Sequence, residues 1–162
     1  MWRLLVLALM LFGFAADPAL GCSFAAGYRE FAAGSDTPPA ADAAVVTPRM
    51  YVDELRRGYD DGNFASCSDA GILTIVIQDG AAAQDLGFDF ILESGAFPDA
   101  VLPERIVSPI ELGDGLWGFS FVWLDLPAGK AEVDPIDVRI AVRAVSIRQQ
   151  WGEKVFLDVQ DP

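Results

Sequence analysis

No histidine occurs among the 162 residues of this chain, and that absence removes much familiar chemistry. Without imidazole there is no Ser–His–Asp or Cys–His nucleophile. The commonest ligand for zinc, copper and iron is missing too. Two cysteines, Cys22 and Cys67, do not make a thiolate metal site. The only lysines, Lys130 and Lys154, follow no Gly-x-x-x-x-Gly loop, so no phosphate cradle is expected. Neither lies in a recognisable Ser–Lys motif. Carboxylates are the one plentiful functional group, with 24 Asp and Glu against 11 Lys and Arg and a net charge of −13. A pair of them could hydrolyse a glycoside if they met in a cleft roughly 5–9 Å apart. A single small domain has little spare chain for such a cleft. No cofactor is expected.

Binding chemistry is equally sparse. Asp60, Asp61 and Asn63 could offer oxygens to calcium. Their spacing does not match a helical calcium loop, and Asp-Gly and Gly-Asn are ordinary turn dipeptides. No other metal site is expected. Phe119, Phe121 and Trp123 alternate, which favours a buried face over a sugar platform. Trp117 and Trp151 fall near the ends of expected strands and are better candidates for an exposed contact. Arg57 is a further candidate contact, although Arg56-Arg57 and the Arg139/Arg143 pair are basic spots suited to nearby carboxylates. The acidity argues against nucleic acid, whose phosphates would be repelled, and against anionic lipid surfaces.

The elements that must carry these residues begin after a leader. Met1-Trp2-Arg3 is positive, Leu4 to Ala16 is apolar, and Ala19-Leu20-Gly21 supplies small residues before Cys22. This is the layout of a secretory signal peptide over residues 1–21. The apolar run is too short to span a bilayer, which takes about 20 residues. No later segment is a transmembrane candidate. In an exported protein Cys22 and Cys67 would form a disulfide, worth about 4 kcal/mol in the chain-entropy model. The segment ending in Cys22 also resembles the lipobox of bacterial lipoproteins, with Ala19 and Leu20 in reversed order. A lipidated Cys22 would anchor the chain to a membrane and leave Cys67 without its mate.

Residues 22–44 are rich in Ala, Gly, Pro and Ser and read as a linker or loose arm, with Phe24, Tyr28 and Phe31 able to pack. From residue 45 to 162 the pattern is β. Strands are expected at Met50–Leu55, Ile72–Ile77, Phe88–Glu93, Leu116–Leu124, Asp137–Arg143 and Val155–Val159. Pro98, Pro103 and Pro109 leave only a short or edge strand at Arg105–Val107. Asp137–Arg143 alternates most cleanly: Val138, Ile140 and Val142 inward, with Arg139, Ala141 and Arg143 outward. Short strands parted by turn signals point to an antiparallel β-sandwich, with a barrel as the alternative.

Val138 to Ser146, Gly152-Glu153 and Val155 to Val159 resemble the closing hairpin of fibronectin type III and related immunoglobulin-like domains. The resemblance implies an immunoglobulin-like sandwich. The chain departs from that family in two places: no tryptophan stands in Ile72–Ile77, and Ile136 stands where a tyrosine would open the penultimate strand. Together these features lead to an expected function. The chain is read as a non-catalytic binding or structural module of the bacterial envelope or secretome: periplasmic, cell-surface or extracellular. It would contact an unknown protein or glycan through loops at one end of the sandwich. The alternatives are a small carboxylate-dependent hydrolase, an inhibitor presenting Arg57 or the 125–135 loop, or a lipid-anchored form of the same domain.

Overall fold

Strands rich in β-branched and aromatic residues pair edge to edge and must bury one face. In the computed structural model, residues 27–33, 44–59, 61–63, 66–125 and 134–161 are described. The leader and Cys22 lie outside them. The described strands are β1 (Arg29–Glu30), β2 (Met50–Arg56), β3 (Ala70–Ile77), β4 (Gly87–Ser94), β5 (Val107–Ser108), β6 (Ile110–Gly113), β7 (Leu116–Leu124), β8 (Asp137–Val145) and β9 (Val155–Gln160). All pairings are antiparallel. One sheet runs β2-β3-β7-β6 and the other β1-β5-β4-β8-β9. Among the described residues there is no α-helix, only 3-10 turns at Cys67–Asp69 and Gly80–Ala83. No helix there is long and apolar enough to cross a membrane.

The two sheets share one core, as in a sandwich. Leu73, Ile75, Phe119, Phe121 and Trp123 come from the first sheet; Phe88, Phe90, Val138, Ile140 and Val142 come from the second. The aromatic rings interlock across the gap. Phe119 takes Phe88 and Phe90 edge-on, with centroids 5.3 and 4.9 Å away, and Phe121 meets Phe90 at 5.2 Å. Period-two burial therefore selects the faces of β7 and β8 as the alternation predicts, with Arg139 exposed and Arg143 half-buried.

Three expectations change. Ala141, expected on the wet face, is fully buried. Its register partners Ile91 and Phe156 stand on either side of it on that outer face. Leu92, expected inward with Phe88 and Phe90, is half-exposed and lies next to the register shift between Leu92 and Ser94. Residues 110–113, unassigned from sequence, form β6 on the edge of the first sheet.

Residues 27–33 of the arm are docked. Gly27 and Ser120 exchange backbone hydrogen bonds, 3.2 and 2.9 Å long, on the flank of β7. A Cβ at Gly27 would overlap the Ser120 carbonyl, so this approach needs glycine. The chain then crosses to the other sheet, where β1 pairs with β5. Tyr28 rests on Phe121 at 5.8 Å, and Arg29 donates to the carbonyls of Pro109 and Gln84. This stretch of arm covers the β5 edge.

Candidate interaction face

The outer face of β4-β8-β9 gathers chemistry that the core does not need. Register places Ile91, Ala141 and Phe156 in one row across the three strands. Ile91 is 38 % and Phe156 48 % exposed, while Ala141 lies beneath them at 0 %. Arg139, Ala141 and Arg143 follow one another along the same side of β8, so the two arginines bracket this row. The Arg139 guanidinium sits 4.8 Å above the centre of the Phe156 ring. Arg143 sits 4.9 Å above Trp151. Each such exposed stack contributes about 0.5–1 kcal/mol.

Local structure fixes Trp151. The β8–β9 connection closes on Ser146, whose hydroxyl accepts from the backbone N–H of Arg148 and Gln150. Gln149 takes the left-handed conformation at φ 62°, which sharpens the turn. Trp151 then bridges back to Val145. The hydroxyl of buried Thr47 donates to the Glu153 carbonyl and accepts from the Ala144 N–H, which ties the hairpin to the strap leading into β2. Around the arginines, carboxylates balance the charge. Arg139 lies 3.4 Å from Asp158, and Lys154 reaches Glu93 at 2.7 Å. These pairs are solvated and weak.

The other residues singled out by sequence lie elsewhere. Trp117 is half-buried on β7, across from Ile77 and Glu111, and is not part of this face. Arg57 follows β2 at one end of the sandwich and is engaged by acids. Its Nε and Nη2 donate to both oxygens of Asp125 at 2.7 and 3.2 Å, and Nη1 donates to Asp161 at 3.0 Å. Asp125 also accepts from the Gly58 N–H at 2.9 Å, and Asp161 from the Ile136 N–H at 2.8 Å. The Arg57 side chain is 21 % exposed and that of Asp125 only 5 %. Burial pushes the Asp125 carboxyl up, yet the hydrogen bonds from Arg57 and Gly58 outweigh it and hold the group below the ordinary carboxylate range. Hydrogen bonding to Asp125 likewise raises Arg57. The acids that do converge meet on a guanidinium that ties four strand ends together.

Asp61 acts within its own turn. Its carboxylate accepts from the Asn63 N–H and the Ser68 hydroxyl, both at 2.8 Å, and the Asn63 bond holds it below its ordinary range. Asp60 lies outside the described residues, among which no cluster of three metal-ligating side chains is found. Cys67 opens the 3-10 turn capped by Ser66. Sequence reading missed Phe156 and Ile91 as surface groups. The signal was there in Phe156, a large aromatic placed on the wet side of alternating Val155, Leu157 and Val159. No family model, curated protein or solved structure matches this chain.

Proposed function

We propose that this chain is an exported, non-catalytic binding module of immunoglobulin-like architecture, and that a protein docks on the outer face of β4-β8-β9. One observation carries the reading: an exposed apolar row, Ile91 to Phe156, bracketed by arginines stacked on aromatic rings. Aromatics and arginine are the residues that dominate the energetic centres of protein interfaces. Arg139 pairs with Asp158, and Arg143 Nε donates to the Gly152 carbonyl at 3.3 Å. With its five N–H groups, a stacked guanidinium has further in-plane donors for a partner's carboxylates or carbonyls. It also occupies the ring face on which a sugar would stack, which favours protein over glycan.

Strand order supports the architecture. Taking β2 as the first sandwich strand, β2-β3-β7-β6 reads A-B-E-D and β5-β4-β8-β9 reads C′-C-F-G, the order of immunoglobulin-like sheets. The leader-like residues 1–21 support export. A Cys22–Cys67 disulfide suits that compartment and the docked arm, and no cysteine among the described residues is free. Intact mass of the mature protein decides its state: a gain of two hydrogens on reduction is expected, whereas a lipid increment on Cys22 would replace the disulfide with an anchor.

The docking test uses a photo-crosslinking residue at Ile91 in cells that export the protein. A discrete protein adduct is expected, lost on Arg143→Glu and Trp151→Ala variants that keep the wild-type circular dichroism. An adduct pattern no different from that of a crosslinker at Leu116, which is 43 % exposed on the other sheet, would remove the proposal.

A further inference from the structure

Sheet edges offer unpaired backbone groups, and proteins protect them with charge, brevity, bulges or cover. Among the described residues, three of the four edges carry such protection. β1 has two residues, both charged and exposed. β6 has four, with a register shift before Gly113. β2 has a register shift between Val52 and Glu54 and carries Asp53, Glu54 and Arg56. β9 differs: six residues, Val-Phe-Leu-Asp-Val-Gln, with an unbroken register to β8. Among the described residues its backbone pairs with β8 alone. Asp161 N–H donates to the Ile136 carbonyl at 2.9 Å, so the odd-numbered residues turn their backbone toward β8. The N–H and C=O groups of Phe156, Asp158 and Gln160 point the other way.

We infer that β9 pairs antiparallel with β9 of a second copy, across a two-fold axis at Phe156, to form a weak dimer with a continuous sheet. The register follows from charge. Centring on Phe156 sets Lys154 against Asp158 of the second copy, twice, with Phe156 against itself and Val155 against Leu157. Centring on Asp158 opposes two like charges, and centring on Leu157 sets Phe156 against Asp158. Cross-strand pairs of opposite charge and of aromatic rings favour the first arrangement. Lys154 is 41 % exposed in its contact with Glu93 and can take a second carboxylate. A strand edge alone buries less than the roughly 1,200 Å² of a stable interface, so association is concentration-dependent. Net charge of −13 on each copy opposes it most at low salt.

Sedimentation equilibrium of the mature protein at physiological salt tests this. Wild type is expected to shift from monomer toward dimer as concentration approaches the millimolar range. Asp158→Lys should weaken the dimer about tenfold, as two cross-strand pairs turn repulsive, and adding Lys154→Asp should restore it. Phe156→Pro removes an outward N–H that β8 does not use, so it should fold yet stay monomeric. A wild type that is monomeric throughout overturns the inference, and so does a dimer that survives Phe156→Pro.

Discussion

Arg57 shows how an acidic chain uses a basic spot. Of the two uses open to it in the sequence, a partner contact or a local carboxylate, the structure shows the second: it is the cation of a carboxylate clamp. Removing it leaves the nearly buried Asp125 without its cation, with the Gly58 N–H still donating to it. Arg57→Ala should therefore cost about 3 kcal/mol, the usual scale for breaking a buried pair from one side, read by urea unfolding. The pH dependence has a definite sign. Asp125 titrates lower in the folded chain than its ordinary 3.8. Its contribution is complete above that value and is lost as pH falls through the lower, folded one. Asp125→Asn should lower stability at neutral pH and flatten the acid limb of the stability curve below about pH 4. An acid limb unchanged from wild type would mean that the clamp does not couple to folding.

At the scale of elements, most strands were legible because burial writes a period of two into the sequence. β7 follows its alternation, and β8 does so apart from Ala141. Ala141 was not legible as buried, because its cover comes from Ile91 and Phe156 on other strands, fifty and fifteen positions away in round terms. β6 and β5 were faint because they are short, β6 lying at a sheet edge and β5 meeting β4 at a single register pair. The arm was legible as Ala- and Gly-rich but not as docked, since Gly27 matters through one close approach to Ser120. Gly27→Val should undock it: the new side chain meets the Ser120 backbone, and Tyr28 leaves Phe121. Hydrogen exchange should then rise at Arg29–Glu30 and Val107–Ser108 while β8 stays protected. Equal loss of protection in β8 would make the arm part of the core rather than its cover.

For the whole molecule, charge is the term that no single contact reports. The described ion pairs are few, and the net charge of −13 is spread over a domain with one small core. Self-repulsion of that size destabilises the compact state and is screened by salt within a Debye length of about 8 Å at physiological ionic strength. Solvated pairs such as Arg139–Asp158 and Lys154–Glu93 weaken with salt, but each contributes only about 0–1 kcal/mol. The partly buried Arg57–Asp125 pair is screened less. Repulsion should win this comparison, so the melting temperature should rise as salt increases from about 10 mM to 150 mM, with most of the gain at the low end, where the Debye length shrinks fastest. Histidine is the side chain that ordinarily changes charge between about pH 5 and 8, and none is present, so the same salt response should appear at both ends of that range. A melting temperature that falls with salt would mean that local pairs, rather than net charge, govern the electrostatics of this fold.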